Sequence, residues 1–168
     1  MNTPPRLVHL ALGANLGDRE ATIRAAIQAI DALSETRVVA TSSLHETVAV
    51  TLDDGSSSAA QPNYLNGAIT TETSLSLREL LEQLQAIERS FGRVRTEGQR
   101  WEARTLDIDI LLDGDAIIDE RGLTVPHPRM QERRFVLAPL VEIASDARHP
   151  VLNMTMRQLL DQLDRPSE

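Results

Sequence analysis

Hydrophobic positions follow two different periods along the chain, and their order predicts the fold. Compact or alternating apolar runs, which are typical of strands, lie at residues 7–12, 37–47, 63–73 and 105–112, with a short further run at 116–118. Apolar residues that recur every three or four positions, as on one face of a helix, lie at 23–33, 77–87 and 155–163. We therefore predict an α+β protein with a ferredoxin-like βαββαβ core, in which helices cover an antiparallel sheet and an extra helical segment follows at the C-terminus.

The predicted helices begin and end at residues that suit those positions. Asp18 can cap the first helix, and Ser76 with Glu79 forms a capping box for the second. Gly92 ends the second helix, because glycine accepts the left-handed backbone that often follows a helix. The segment Gly13 to Asp18 lacks the G-x-G-x-x-G pattern, so we interpret it as a strand-to-helix connection rather than a phosphate-binding loop.

Length and composition favour a single domain over residues 1–168. A chain of this size buries about two-thirds of its unfolded surface. It contains no cysteine, which excludes disulfides and thiolate metal sites and fits a reducing compartment. The apolar run at 7–12 is too short for a signal or membrane helix, so we expect a cytoplasmic protein that does not bind membranes.

Charge narrows the function further. The net charge is −8 and the pI about 5.0, which argues against broad binding to nucleic acid. All 17 basic residues are arginine, and the absence of lysine excludes a P-loop. A small, focused anion site remains compatible with this composition, and we expect a monomer.

The stretch from Gly92 to Leu112 concentrates the candidate chemistry. It contains Trp101 and four arginines, Arg93, Arg95, Arg100 and Arg104, whose guanidinium groups match phosphate oxygens. Asp107 and Asp109 share one face of the predicted strand, at a spacing of about 6.5–7 Å, and suit a divalent cation. A magnesium-bound polyphosphate between the two groups would balance both charges. The alternative is a solvated acidic sheet face next to a solvated loop.

Other residues leave two interpretations open. His127 lies between two prolines that fix its backbone, and it either contacts phosphate or is a structural turn histidine. The polar, serine-rich segment 51–62 is either a flexible functional loop or a plain insertion. The chain has only four aromatic residues, Tyr64, Phe91, Trp101 and Phe135, so the core must be aliphatic.

Several motifs together resemble a known family. They are L-G-A-N-L-G-D, N-Y-L-N, G-Q-R-W-E-A-R-T-L-D-I-D-I-L-L and V-P-H-P-R-M-Q-E-R-R-F-V-L-A-P-L, which extend over nearly the whole chain. They resemble the 6-hydroxymethyl-7,8-dihydropterin pyrophosphokinases of folate biosynthesis. The resemblance implies a magnesium-dependent enzyme that transfers pyrophosphate from ATP to the hydroxymethyl group of the pterin and releases AMP.

The resemblance also implies a role for individual residues. Asp107 and Asp109 would bind two magnesium ions, and Arg93, Arg100, Trp101 and Arg104 would be catalytic residues, within a mobile catalytic loop at 92–104. ATP would contact Gln85, Glu88, Arg95, Ile110, Thr124, His127 and Arg133. The rings of Tyr64 and Phe135 would sandwich the pterin, and Thr47 and Asn66 would hydrogen-bond it.

The chain departs from the family pattern at three places. Val48-Ala49 replaces the usual prolines, the loop 51–62 is longer than usual, and Glu102-Ala103 replaces a frequent Gly-Pro. None of these changes removes a charged catalytic group. Two other classes of protein stay open on the residues alone: a nucleotide- or anion-sensing module without catalysis, and a protein-interaction domain.

Overall fold

The computed structural model describes residues 4–15, 17–47, 63–92 and 106–166. The helices are α1 (Arg19–Asp31), α2 (Leu77–Ser90), α3 (Arg134–Ala144) and α4 (Met156–Asp164), and a short 3-10 turn spans Met130–Glu132. The strands are β1 (Arg6–Ala14), β2 (Thr36–Thr41), β3 (His45–Thr47), β4 (Tyr64–Thr73), β5 (Asp107–Asp113), β6 (Ile118–Glu120), β7 (Leu123–Val125), β8 (Arg148–His149) and β9 (Met154–Thr155). Within these ranges, no helix has the length and apolar character needed to cross a membrane.

The central sheet has five strands, and all its pairings are antiparallel. The strand order is β2-β4-β1-β5, and the short strand β3 also pairs with β4. Two small hairpin sheets, β6-β7 and β8-β9, lie apart from it. The mixed composition of helices and antiparallel sheet confirms the predicted α+β class.

One face of the sheet, which we call the core face, packs against α1 and α2. Alternate residues of β1 (Val8, Leu10, Leu12 and Ala14) are buried there with Leu106, Ile108 and Ile110. The helices contribute Ile23, Ile30, Leu80 and Leu84, all with no exposed surface. The cluster is aliphatic, as the scarcity of aromatic residues predicts. The period of two predicted for residues 105–112 is therefore confirmed as far as Ile110.

The opposite face, which we call the α3 face, is covered by α3 and α4 over only part of its length. A second aliphatic cluster joins Ala68, Leu111 and Leu112 of the sheet to Met130, Val136, Leu137, Leu140, Met156, Leu159 and Leu160. Asp107 and Asp109 also belong to this face by their place in the strand, and both stay partly exposed. The α3 face thus combines an apolar part with a polar part.

A β-bulge separates these two parts in the β1-β5 pair. His9 pairs with Leu112, whereas Leu10 pairs with Ile110, so Leu111 is an extra residue in β5. The predicted alternation through Leu112 is therefore wrong beyond Ile110. Because of the extra residue, Leu111 and Leu112 both reach the cluster under α3 and α4.

Helix ends agree with the sequence, whereas several strand bounds do not. The Asp18 cap and the Ser76/Glu79 capping box are present, and Gly92 follows α2 with a φ of 92°. The predicted strand 37–47 is two strands, because the connecting residues 42–44 interrupt the ladder. The proline-containing segment from Thr124 to Arg129 begins within a strand, because Thr124 lies in β7 and the first proline follows directly after that strand ends.

Candidate functional site

A row of paired residues crosses three adjacent strands on the α3 face. Gly13 of β1 pairs with Asn66 of β4 on one side and with Asp107 of β5 on the other. Two residues earlier, Ala11 pairs with Asp109. A β-carbon added to Gly13 would lie 3.2 Å from Asn66 Oδ1, so glycine keeps the middle of this row open. The row thus brings a predicted pterin ligand on β4 and the predicted metal ligands on β5 to the two sides of β1.

The predicted pterin residues of β3 and β4 lie together. Thr47 pairs with Tyr64, and Asn66 Nδ2 donates a 2.8 Å hydrogen bond to Thr47 Oγ1. Asn66 is 7% exposed, which fixes its amide, while Tyr64 and Thr47 stay partly exposed. Tyr64 and Asn66 are two residues apart on one strand and so share a face, as the sequence predicts.

Phe135 lies in the first turn of α3, the helix that packs against β3 and β4. Its side chain is 39% exposed, although phenylalanine is usually buried. The guanidinium of Arg133 lies 5.6 Å from the centre of its ring, a cation–π distance. The N-terminal end of α3 therefore carries a partly exposed aromatic ring and a cation.

His127 lies within electrostatic reach of both Asp107 and Arg133. Burial lowers the pKa of its imidazole, the Arg133 and Arg129 charges lower it as well, and the Asp107 charge opposes them. The backbone N–H of Arg129 donates to His127 Nδ1 at 3.2 Å. The neutral imidazole therefore carries its proton on Nε2 and presents a hydrogen-bond donor there.

Glu88 is buried at the back of the carboxylate strand. It is 3% exposed, and its Oε2 accepts the backbone N–H of Ile108 at 3.2 Å. Ile108 is the residue between the two aspartates, so Glu88 fixes the strand on which they are carried. This contact explains a carboxylate in the aliphatic core of α2, since a buried acid needs hydrogen-bond donors.

The two aspartates fit a magnesium site, which takes most of its ligands from water and substrate, better than a metal site built from protein ligands alone. No group of three or more histidine, cysteine or acidic side chains in the described ranges could hold a metal ion. Magnesium commonly binds one or two carboxylates and takes its other ligands from water and substrate phosphates. Asp107 and Asp109, on one face and next to an open part of the sheet, fit that pattern.

Three predicted nucleotide contacts lie apart from this row. The Ile110 side chain is 6% exposed and packs into the core face, opposite to Asp109. Gln85 is exposed on α2, and Thr124 is exposed on β7, where its hydroxyl lies 3.5 Å from Asp119 Oδ1. The structure does not bring these side chains together with the carboxylates.

The other predicted catalytic residues lie outside the described part of the chain. They are Arg93, Arg100, Trp101 and Arg104, and the predicted ATP contact Arg95 belongs to the same predicted loop 92–104. The predicted loop 51–62 also lies outside it. Their assignments stay predictions.

Asn15 is a polar residue near the row that the sequence reasoning did not select. It directly follows β1 and is 1% exposed, and neither of its amide atoms has a hydrogen-bond partner in the described structure. Two buried, unpaired amide atoms are costly without a ligand. The G-A-N-L-G-D motif was the available signal, but its interpretation as a connection considered only the glycines.

Comparisons with known proteins agree with the motifs. Residues 9–145 match the model of the family described as 7,8-dihydro-6-hydroxymethylpterin-pyrophosphokinase (HPPK). A relative from Pseudomonas aeruginosa, named 2-amino-4-hydroxy-6-hydroxymethyldihydropteridine pyrophosphokinase, is 46% identical over 143 residues, which cover 85% of this chain and 83% of the relative. A Bacillus subtilis relative of the same name is 44% identical over 137 residues, covering 82% and 77%.

A solved structure is similar in fold. The Plasmodium falciparum HPPK-DHPS wild type with pteroate aligns with a TM-score of 0.72 at 15% identity, over 96% of this chain and 43% of that one. At that identity the likeness concerns the fold alone. The family model and the bacterial relatives decide membership: the chain belongs to the 7,8-dihydro-6-hydroxymethylpterin-pyrophosphokinase family.

Proposed function

We propose that the chain transfers pyrophosphate from MgATP to the hydroxymethyl group of 6-hydroxymethyl-7,8-dihydropterin, giving the pterin diphosphate and AMP in folate biosynthesis. The observation that carries this function is the row Asn66–Gly13–Asp107. It places an amide that suits a heterocycle and a carboxylate that suits a metal on the two strands that flank β1. With no side chain at Gly13, the two substrates can meet over the middle strand.

The pterin would lie between the rings of Tyr64 and Phe135. A flat heterocycle packs best on ring faces, and the exposure of Phe135 leaves such a face open. Asn66 donates to Thr47 through Nδ2 while its Oδ1 points toward Gly13. That oxygen would accept an N–H of the pterin, and Thr47 would bond to the ring edge.

The polyphosphate of ATP would lie over Asp107 and Asp109, held through two magnesium ions. The metal supplies neutralisation of phosphate charge and alignment of the reacting oxygens. His127 would donate Nε2–H to a phosphate oxygen, and Arg133, close to it at the start of α3, would add a cation. Glu88 would keep the carboxylate strand in place. Arg93, Arg95 and Arg100 would add further phosphate contacts, and Trp101 and Arg104 would belong to the catalytic loop. Gln85, Ile110 and Thr124 would lie near the nucleoside.

The reaction is a displacement at the β-phosphorus of ATP. The pterin hydroxymethyl oxygen forms a bond to that phosphorus and loses its proton, while the bond from the phosphorus to the α,β-bridging oxygen breaks. The electron pair leaves with that oxygen, which becomes part of AMP. Phosphoryl transfer asks little covalent chemistry of the protein, so positioning and charge would supply most of the rate.

An assay for AMP tests the function directly. Purified protein should form AMP from MgATP only when the hydroxymethyl pterin is present, and the pterin diphosphate should appear in equal amount. Saturable ATP binding without AMP would instead indicate a sensing module, and no ATP binding would indicate an interaction domain. Arg100→Ala should lower turnover, and an unchanged rate would remove Arg100 from the phosphate site.

We also infer that the core is the ferredoxin-like unit. The strand order β2-β4-β1-β5, with two helices on the core face, supports this topology. The fold matters for the function because it places the ends of β1, β4 and β5 next to one another.

A further inference from the structure

Three side chains outside the row join β3 to α3. Glu142 of α3 accepts hydrogen bonds from Ser43 Oγ at 2.8 and 2.9 Å and from the Ser43 backbone N–H at 3.1 Å. Its carboxylate also bonds to His45 Nε2, and that nitrogen lies 3.2 Å from Ser43 Oγ. We call Ser43, His45 and Glu142 the clamp.

The clamp carboxylate is ionised. Burial alone would raise the pKa of Glu142, but hydrogen bonds from His45 and Ser43 outweigh it and lower that pKa. A carboxylate that accepts several hydrogen bonds holds its donors more strongly than a neutral group does. The connection between β3 and α3 is therefore more than a surface contact, although Glu142 is only partly covered.

The β2-to-β3 connection is held against β4 on its other side. Ser42 Oγ accepts the backbone N–H of Ala68 at 2.9 Å, and the Leu44 side chain occupies the space next to Gly67, where an added β-carbon would lie only 2.8 Å from it. With β4 on one side and Glu142 on the other, the connection cannot shift without breaking one set of contacts. The clamp thus fixes α3 relative to both strands.

The two elements that the clamp joins, β3 and α3, also carry predicted pterin residues. His45 lies opposite Asn66 in the β3-β4 ladder, and Thr47 follows it on the same face of β3. Glu142 lies seven residues after Phe135, which is two helical turns, so both side chains project from the same side of α3 about 10 Å apart. The clamp therefore connects the strands that carry Thr47 and Asn66 to the helix that carries Phe135.

We infer that the clamp sets the width of the pterin slot between Phe135 and the residues Thr47, Tyr64 and Asn66. The inference rests on the proposed function. A heterocycle packed on both faces needs about 3.5–4 Å on each side, and a gap of 0.5–1 Å forfeits a quarter to a half of that attraction. Ser43, His45 and Glu142 act as positioning residues, because they hold the elements that touch the substrate.

Steady-state kinetics of Glu142→Ala test this role. We expect the KM for the pterin to rise roughly tenfold, the cost of about 1.4 kcal/mol of lost packing, while kcat stays within about twofold and the KM for ATP is unchanged. His45→Ala should act in the same direction. Glu142→Gln keeps one oxygen that can accept from Ser43, and its amide N–H can donate to a neutral His45 Nε2, so this variant should recover part of the pterin affinity. A general loss of stability would not separate the two KM values in this way.

A matched control lies on the same helix. Arg134 Nε pairs with Asp164 of α4 at 2.9 Å, so Asp164→Asn removes an ion pair of α3 that does not lead to β3. It should leave both KM values unchanged. If Glu142→Ala destabilises the protein, Ser43→Ala keeps the His45–Glu142 bond and should give a smaller rise of the pterin KM.

Two outcomes would overturn the clamp. In one, folded Glu142→Ala and His45→Ala keep the wild-type pterin KM. In the other, both KM values rise together and Asp164→Asn does the same. Failure of the proposed function looks different, because the wild-type protein itself would then form no AMP with the pterin.

Discussion

The two faces of the sheet use the same strands for different purposes. On the core face, the interior positions of β1 and β5 carry aliphatic side chains that α1 and α2 bury almost completely, and Arg6 and Asp113 form an ion pair at the ends of the two strands. On the α3 face, the same strands present Ala11, Gly13, Asp107 and Asp109, and helices cover only the far part. Successive residues of a strand point to opposite faces, so a residue that stabilises the fold and a residue that can bind a substrate are direct neighbours in the sequence.

The difference explains why charge is tolerated in this strand. Two aspartates side by side repel and are disfavoured in strands, which costs stability. The core face offsets that cost by burying Leu106, Ile108 and Ile110 from alternate positions of the same segment. The chemistry of one face therefore depends on the packing of the other.

The largest expected effect comes from Asp109→Asn on the α3 face. Removing one metal-binding charge should lower AMP formation roughly 1,000-fold or more, on the scale of losing preorganised transition-state stabilisation. The variant should remain folded, because asparagine keeps the shape of the side chain, and circular dichroism checks this. Turnover close to wild type would contradict the metal assignment.

Leu80→Ala on the core face should show the opposite behaviour. Leu80 has no exposed surface, so its truncation should lower the free energy of unfolding by about 2–5 kcal/mol. Activity of the folded fraction should stay within about twofold, as measured at a temperature well below the transition. A cost under about 1 kcal/mol in denaturant unfolding would show that the core face is less tightly packed than described.

Phe135→Ala should weaken substrate binding without affecting the core. We expect the KM for the pterin to rise about 10- to 30-fold, the loss of about 1.4–2 kcal/mol of stacking and burial, with Phe135→Tyr close to wild type. Because Phe135 is 39% exposed, its truncation should leave the unfolding curve nearly unchanged. An unaltered pterin KM would remove it from the site.

The smallest expected effect is a pH dependence of the free energy of unfolding. It comes from His9 on the α3 face, whose Nδ1 lies 2.9 Å from Thr70 Oγ1. Burial lowers the pKa of His9, so below about pH 6.5 the unfolded chain binds a proton that the folded chain does not. The free energy of unfolding should therefore fall as the pH falls through that range, by at most about 1.4 kcal/mol per pH unit for this histidine.

His9→Gln should make that decline shallower. Burial also lowers the pKa of His149 and, with nearby charges, that of His127, so part of the slope should remain. Urea unfolding at pH 7.5 and at pH 5.5 measures both slopes. Identical slopes in the two proteins would show that His9 does not contribute.

Much of the fold follows from local signals in the sequence. The caps at Asp18 and Ser76 need only a side chain and the next turn of helix, and both form as predicted. The placement of Asp107 and Asp109 on one face follows from the period of a strand. The extra residue at Leu111 could not be predicted, because a bulge depends on the partner strand. β7 lies outside the predicted strands, because Leu123–Val125 is too short to give a hydrophobic period.

The candidate site residues were selected in two ways. The strand period and the charge indicate Asp107 and Asp109, whereas Thr47, Asn66 and Phe135 were selected through the resemblance. The structure adds their connections, and their roles stay predictions. Asn15 was not selected because only the glycines of its motif were considered, and His45 and Glu142 were not selected because their roles depend on contacts between residues distant in sequence. Such contacts, like the pairing of Ser43 with Glu142 across 99 residues, become visible only in three dimensions.

The bulge at Leu111 has a consequence for how this protein can change over evolutionary time. The pairing register of β5 with β1 differs on the two sides of the bulge. Residues before the bulge pair with Leu12 and Gly13 among others, and residues after it pair with Val8 and His9. Insertions or deletions in the hairpin beyond Asp113 can therefore accumulate without turning the two aspartates toward the interior. We therefore expect engineered insertions at that end of the molecule to leave the direction of the two carboxylates unchanged.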